Sequence, residues 1–223
     1  MRQRNTAPSV GPFKASHRGR GIWGLLAIAC TLATLLAVLP ASAADVQVTV
    51  QDEAGKPLDG AVAFLESAAA RAAVKPLAGA EIGQSNKRFT PSVLVVTVGT
   101  AVNFPNRDTV RHHVYSFAPA KTFDLKLYSG TPAAPVIFDK PGVVDLGCNI
   151  HDQMRAWVVV VDTPYFGRGE AAQAVALHGV PSGNYRLKVW HPRVPANAAL
   201  WEQNVTVGAA PLALSVTLKG LDP

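Results

Sequence analysis

From Asp45 onward, apolar and polar residues alternate in short runs. They are DVQVTVQD at 45–52, AVAFLE at 61–66, VLVVTV at 93–98, TVRHHVYSF at 109–117 and TFDLKLY at 122–128. The series continues with VVDLGC at 143–148, MRAWVVVVD at 154–162, YRLKVW at 185–190, WEQNVTV at 201–207 and LALSVTL at 212–218. A period of two sends alternate side chains to one face of an extended chain, so each run is predicted to be a strand. The runs are rich in valine and are separated by turn segments such as EAGKP, VGT, KPG and PSGN. The class that follows is all-β, a β-sandwich. SAAARAAV at 67–74 alone favours a helix but lacks a clear apolar face, and it reads as a linker or a short surface turn of helix. Pro91 opens a predicted strand and Pro105 follows one, where a missing N–H donor does least harm.

The first 43 residues break this pattern. Arg2, Arg4, Lys14, Arg18 and Arg20 appear with no acidic residue, followed by an apolar run from about Ile22 to Leu39, then Pro40 and the small triplet Ala41, Ser42, Ala43. This is the three-part layout of a secretory signal peptide, with cleavage expected before Ala44 and a periplasmic mature protein. The competing reading is an uncleaved membrane anchor, since the 18 residues from 22 to 39 are just enough to span a bilayer. Gly24 and the Ala-Ser-Ala site favour cleavage. A lipoprotein reading through Cys30 fails because the apolar stretch follows that residue instead of preceding it.

Export changes the charge. The chain has 21 Lys and Arg against 15 Asp and Glu, a net +6, but the leader holds 5 of the basic residues and none of the acidic ones, which leaves +1. The mature chain therefore carries no nucleic-acid footprint and no polybasic membrane patch. About 180 residues bury a real core without staples. With Cys30 removed, Cys148 is the one cysteine, and no internal disulfide can form. A free thiol in an oxidising compartment invites mixed disulfides unless it is buried or occupied.

Cys148 stands in CNIHDQM, three residues before His151 and six before Met154. Thiolate, imidazole and thioether suit a soft metal, and a blue-copper site needs two imidazoles, a thiolate and a weak axial group such as Met. Upstream, NRDTVRHHV at 106–114 offers His112 or His113 as the second imidazole. Strand parity selects His112, which shares a face with Val110, Val114 and Ser116, whereas His113 sides with Arg111, Tyr115 and Phe117. Zinc is the alternative ion, held by Cys, two His and water, but the neutral thioether of Met154 weighs against it. In the bland reading Cys148 and Met154 are core fillers. His178 and His191 read as structural or surface histidines. Tyr165 and Phe166 read as a clamp, and Trp190 with His191 and Pro192 as a strand end packed on the sandwich.

Asn106, Asp108, His112 and Val114, followed by Cys148, His151 and Met154, resemble the cupredoxin pattern of plastocyanin, amicyanin and pseudoazurin over residues 83–163. FPNRDTVRHHVYSF, CNIHDQM and VVVVDTPYF are also similar to bacterial proteins labelled methylamine utilisation or plastocyanin-like. The resemblance implies a Greek-key cupredoxin β-sandwich with one mononuclear type 1 copper on His112, Cys148, His151 and Met154. It implies electron transfer without catalysis, His151 as the electron port, and a c-type cytochrome or periplasmic dehydrogenase as partner. His113 stands where many members have Asn, a residue that ties the two ligand-bearing loops together. Either a ring nitrogen of His113 replaces it, or the surroundings of the site are rearranged. The rival reading is a copper carrier, with the same ligands holding the metal for delivery.

Residues 46–66 and 176–190 resemble strands of transthyretin-like, carboxypeptidase regulatory-like modules. The expected organisation is therefore a leader at 1–43, transthyretin-like strands and linker at 44–80, a cupredoxin domain at 81–163 and further transthyretin-like strands at 164–223. Either one module interrupts the other, or the outer strands extend a single sandwich.

Overall fold

The computed structural model describes residues 43–171, 173–196 and 198–223. The expected leader, with Cys30 and the apolar run, lies outside the described residues except for Ala43. No helix among the described residues is long and apolar enough to cross a membrane.

The chain runs through β1 (Ala43–Gln51), β2 (Val62–Glu66), α1 (Ala68–Ala72), β3 (Ala80–Glu81), β4 (Gly83–Ser85), β5 (Arg88–Thr90), β6 (Val93–Thr97) and β7 (Thr100–Asn103). Next come β8 (His112–Ala118), β9 (Lys121–Tyr128), β10 (Val136–Phe138), β11 (Gly142–Gly147) and β12 (Arg155–Val161). It closes with β13 (Phe166–Arg168), β14 (Val175–Pro181), β15 (Gly183–Trp190), β16 (Trp201–Val207) and β17 (Leu212–Thr217). The all-β class is what alternation predicted. The Ala-rich stretch is one short helical turn, capped by Ser67, whose hydroxyl accepts from the Ala70 N–H at 3.0 Å.

Four sheets share three apolar layers. The orders are β14-β1-β17, β13-β2-β15-β16, β6-β12-β11-β8-β9 and β10-β7-β3, with a β4-β5 hairpin beside them. The first two sheets close over Val46, Val48, Leu65, Leu177, Leu187 and their neighbours. The last two close over Ile82, Phe104, Val114, Phe138, Leu146 and Val158. Between these sandwiches Val62, Phe64 and Trp190 meet Val93, Val159 and Val161.

That middle layer explains two sequence runs. In β2, Ala63 and Leu65 face one core while Val62 and Phe64 face the seam; in β12, Ala156, Val158 and Val160 face one core while Val159 and Val161 face the seam. Strands buried on both faces lose the polar half of the alternation, which is why VAFL and VVVV are continuous apolar runs. Each fully buried valine or phenylalanine contributes roughly 1.5–3 kcal/mol of burial free energy.

Three sequence expectations are corrected. The strand expected from Thr109 begins at His112, and residues 108–110 form a bend. Asn106 causes it: its side-chain amide donates to the Val110 carbonyl at 2.8 Å and its side-chain oxygen accepts the Asp108 N–H at 2.9 Å, in competition with a strand ladder. Val110, placed by parity on the core face, is consequently 41% exposed. Cys148, expected to end a strand, lies one residue beyond β11. The short strands β7 and β10, which pair from Thr100↔Phe138 to Val102↔Val136, carry too few residues for alternation to register.

Candidate metal centre

Two ladders aim the site. β11 and β12 pair antiparallel up to Gly147↔Arg155, so residues 148–154 form the loop between them. The Met154 N–H donates to the His151 carbonyl at 2.9 Å and pins the loop across its base. β8 starts beside it, joined to β11 through Tyr115↔Gly147. A side chain on residue 147 would put its Cβ 2.8 Å from the Tyr115 ring, so glycine allows the close approach that brings β8 against the loop.

The structure gathers His112, Cys148 and His151. One imidazole nitrogen of each histidine and the Cys148 sulfur all lie within 4.8 Å of one another, a group able to hold one metal ion. His112 is fully buried, Cys148 is 4% exposed and His151 is half-buried. The two rings stand edge to face at 5.0 Å. His112 Nε2 is bonded to Asp108 Oδ2 at 2.6 Å, while Nδ1 of His112 and Nδ1 of His151 are buried and have no hydrogen-bond partner. Two orphaned imidazole nitrogens beside a buried thiol would be costly without a further ligand. Met154 is fully buried and shares the apolar cluster of Cys148.

Asp108 is built to stay ionised. Burial pushes its carboxyl up, but the Lys87 N–H at 2.9 Å, the His112 ring and the Asn86 N–H at 2.6 Å outweigh that and hold it below the usual carboxylate range. A carboxylate there fixes the tautomer and orientation of His112, as outer carboxylates do for metal-binding imidazoles. Sequence reading noted Asp108 only as part of a resemblance; its spacing of four from His112 across a bend was the available signal.

His113 is buried but turned elsewhere. Its Nε2 bonds the Asp124 carboxylate, and its Nδ1 accepts the Asn149 side-chain amide at 2.7 Å. Lys126 first and His113 second hold the Asp124 carboxyl below its ordinary range. His113 therefore links β8 and β9 to the residue after Cys148, which resolves the two options left by the missing Asn: a ring nitrogen replaces it. His113→Ala is expected to lower metal affinity by about 10–100-fold, as outer contacts do, whereas His112→Ala abolishes high-affinity binding. A metal titration of both variants checks this, and equal losses would contradict it.

His178 is exposed beside Asp45 at 3.2 Å, and buried His191 is bonded through Nε2 to the Asp59 carbonyl at 2.9 Å, so neither joins the group. Tyr165 meets Tyr185 edge to face at 6.0 Å, while Phe166 packs in the seam.

Tyr128, across from His112 on β9, was missed because nothing in the pattern separates it from other aromatic residues. Its hydroxyl donates to the Phe104 carbonyl at 2.6 Å and accepts from the Gln84 amide. Burial above all, with negative charge on Cys148, pushes the phenol up to about 12 against the opposing Gln84 bond. The neutral phenol is favoured by folding, so its contribution is whole below pH 10 and is lost as pH rises through about 12. An absorbance titration of phenolate is expected to show a tyrosine ionising near 12; absence of any ionisation that late would contradict it.

Comparison with known proteins gives partial matches. A copper-containing nitrite reductase from Thermus scotoductus SA-01 is 25% identical over 40% of this chain and 23% of its own, with a TM-score of 0.36. A reduced amicyanin variant is 27% identical over 44% of this chain and 98% of its own, TM-score 0.35. A purple cupredoxin from Nitrosopumilus maritimus is 23% identical over 37% of this chain and 99% of its own, TM-score 0.32. The chain is thus similar to cupredoxins over less than half its length, and spans under a quarter of the nitrite reductase. No family model and no curated protein matches the chain.

Proposed function

We propose that this protein holds one copper ion on His112, Cys148 and His151, with Met154 as the weak axial group, and passes single electrons between redox partners in the periplasm. The observation that carries the reading is the pair of buried, partnerless Nδ1 atoms within 4.8 Å of a buried thiol. A thiolate, two imidazoles and a thioether form a soft set that suits copper in both of its common oxidation states, which supplies a one-electron couple.

The chain does the rest. Asp108 orients the His112 ring, the His113 and Asn149 bond holds the Cys148 loop to β8, and the two ladders fix the loop ends. Phe104, Leu146 and Val114 share the buried apolar cluster of Cys148 and keep that side dry. Ligands held this firmly move little when charge changes, which favours electron exchange over a reaction that needs an open position. Beside half-buried His151 the loop exposes the apolar Ile150, 48% exposed, together with the polar Asn149, Asp152 and Gln153. Such a rim suits brief docking of a redox protein, for which a c-type cytochrome or a dehydrogenase is the proposed class. Export rests on the leader at 1–43 and its small-residue cleavage site.

Met154→Leu is the informative variant. It is expected to keep copper and to raise the reduction potential, because losing a thioether donor destabilises the oxidised ion more than the reduced one. Voltammetry of parent and variant checks this; an unchanged potential would remove Met154 from the site. Reversible reduction of the parent supports electron transfer. Irreversible loss of the ion on reduction, with transfer to an acceptor protein, supports the carrier reading.

A further inference from the structure

Sheet β13-β2-β15-β16 covers only part of the β11-β12 face, and a groove of about 560 Å³ opens beside the seam. Its walls include Asp145, Arg155, Trp157, Trp190, Arg193 and Val194. The volume falls within the range of small-molecule sites, which favour junctions between packed units. The Trp157 and Trp190 rings stand 6.1 Å apart at 58°, too steep to stack on each other. The Arg155 guanidinium lies 5.7 Å from the Trp157 ring centre and has no carboxylate partner among the described residues. Arg193 spends only its Nε on a protein acceptor, the Asp222 backbone carbonyl at 2.5 Å. Asp145 and Asp222 also line the groove, yet neither side chain is paired with a guanidinium among the described residues.

Elsewhere along the same seam charges are matched. Lys188 meets Glu66 at 2.9 Å and Arg71 meets Asp162 in the adjoining cleft. Two unmatched guanidiniums beside two indoles are a different arrangement. An aromatic ring gains from an indole face, and a carboxylate gains from a guanidinium that offers paired N–H donors. We propose that this groove binds a small aromatic carboxylate, its ring against Trp157 and Trp190 and its carboxylate toward Arg155 and Arg193.

The site is independent of the metal, so its failure would leave the copper reading standing. Isothermal titration of the purified protein with 3-phenylpropionate tests it, set against the neutral amide of the same acid and against hexanoate. Saturable one-to-one binding is expected for 3-phenylpropionate, with both comparison compounds about tenfold weaker or more, the effect of losing a charged hydrogen bond or a ring contact. Arg155 is exposed, so Arg155→Gln leaves the fold intact and is expected to weaken binding by about tenfold or more. Absence of saturable heat, equal binding of the amide or of hexanoate, or unchanged affinity in Arg155→Gln would each overturn the proposal.

Discussion

Cys148→Ser is expected to erase the intense visible band of the copper-loaded protein and to lower copper affinity by more than about 100-fold, beyond the range seen when outer contacts are lost. Serine fits the space of cysteine, but its hydroxyl does not ionise near neutrality and is a hard donor. The neighbouring Nδ1 atoms of His112 and His151 remain, so weak binding without colour should persist. Cys148 is 4% exposed, and a hydroxyl without a partner there costs about 1–3 kcal/mol, which the fold tolerates. Thermal unfolding of the metal-free variant separates the two effects. A folded variant that stays blue would remove the sulfur from the site.

Phe64→Ala is expected to cost about 3–5 kcal/mol of stability, the ordinary penalty for emptying a phenylalanine site in a packed interior. Phe64 is 3% exposed and lies in the layer that joins the two sandwiches, with Val93, Val159 and Trp190 around it. Urea unfolding followed by tryptophan emission and by far-ultraviolet dichroism should give coincident transitions, shifted together, because β2 and β12 each supply residues to two layers. A loss under about 1 kcal/mol would mean that the seam can relax around the missing ring.

The strands that proved easiest to read are those with one wet face, such as β1, whose burial alternates along its whole length. The doubly buried strands were recognised as strands, but which neighbours covered their second face was not, because an unbroken valine run carries no phase. Cys148 and His151 could be singled out because one short loop holds both, and the structure brings them together with His112. His112 was legible only as the better of two choices. Residues 112, 114 and 116 are all buried as parity expected, but so is His113 on the opposite face, and parity failed at Val110, beyond the bend that Asn106 imposes. The Asp124, His113 and Asn149 chain was out of reach, since its members are brought together by strand pairing and loop closure across 36 residues of sequence. The seam groove was equally invisible, being made where two separately patterned sandwiches meet.

The central claim is that His112, Cys148 and His151 bind a single copper ion together. Titrating the metal-free protein with cupric ion while recording the visible spectrum tests it most directly. One equivalent should saturate an intense blue band that disappears on reduction and returns on reoxidation. Colourless binding, or a band that needs several equivalents to develop, would contradict it.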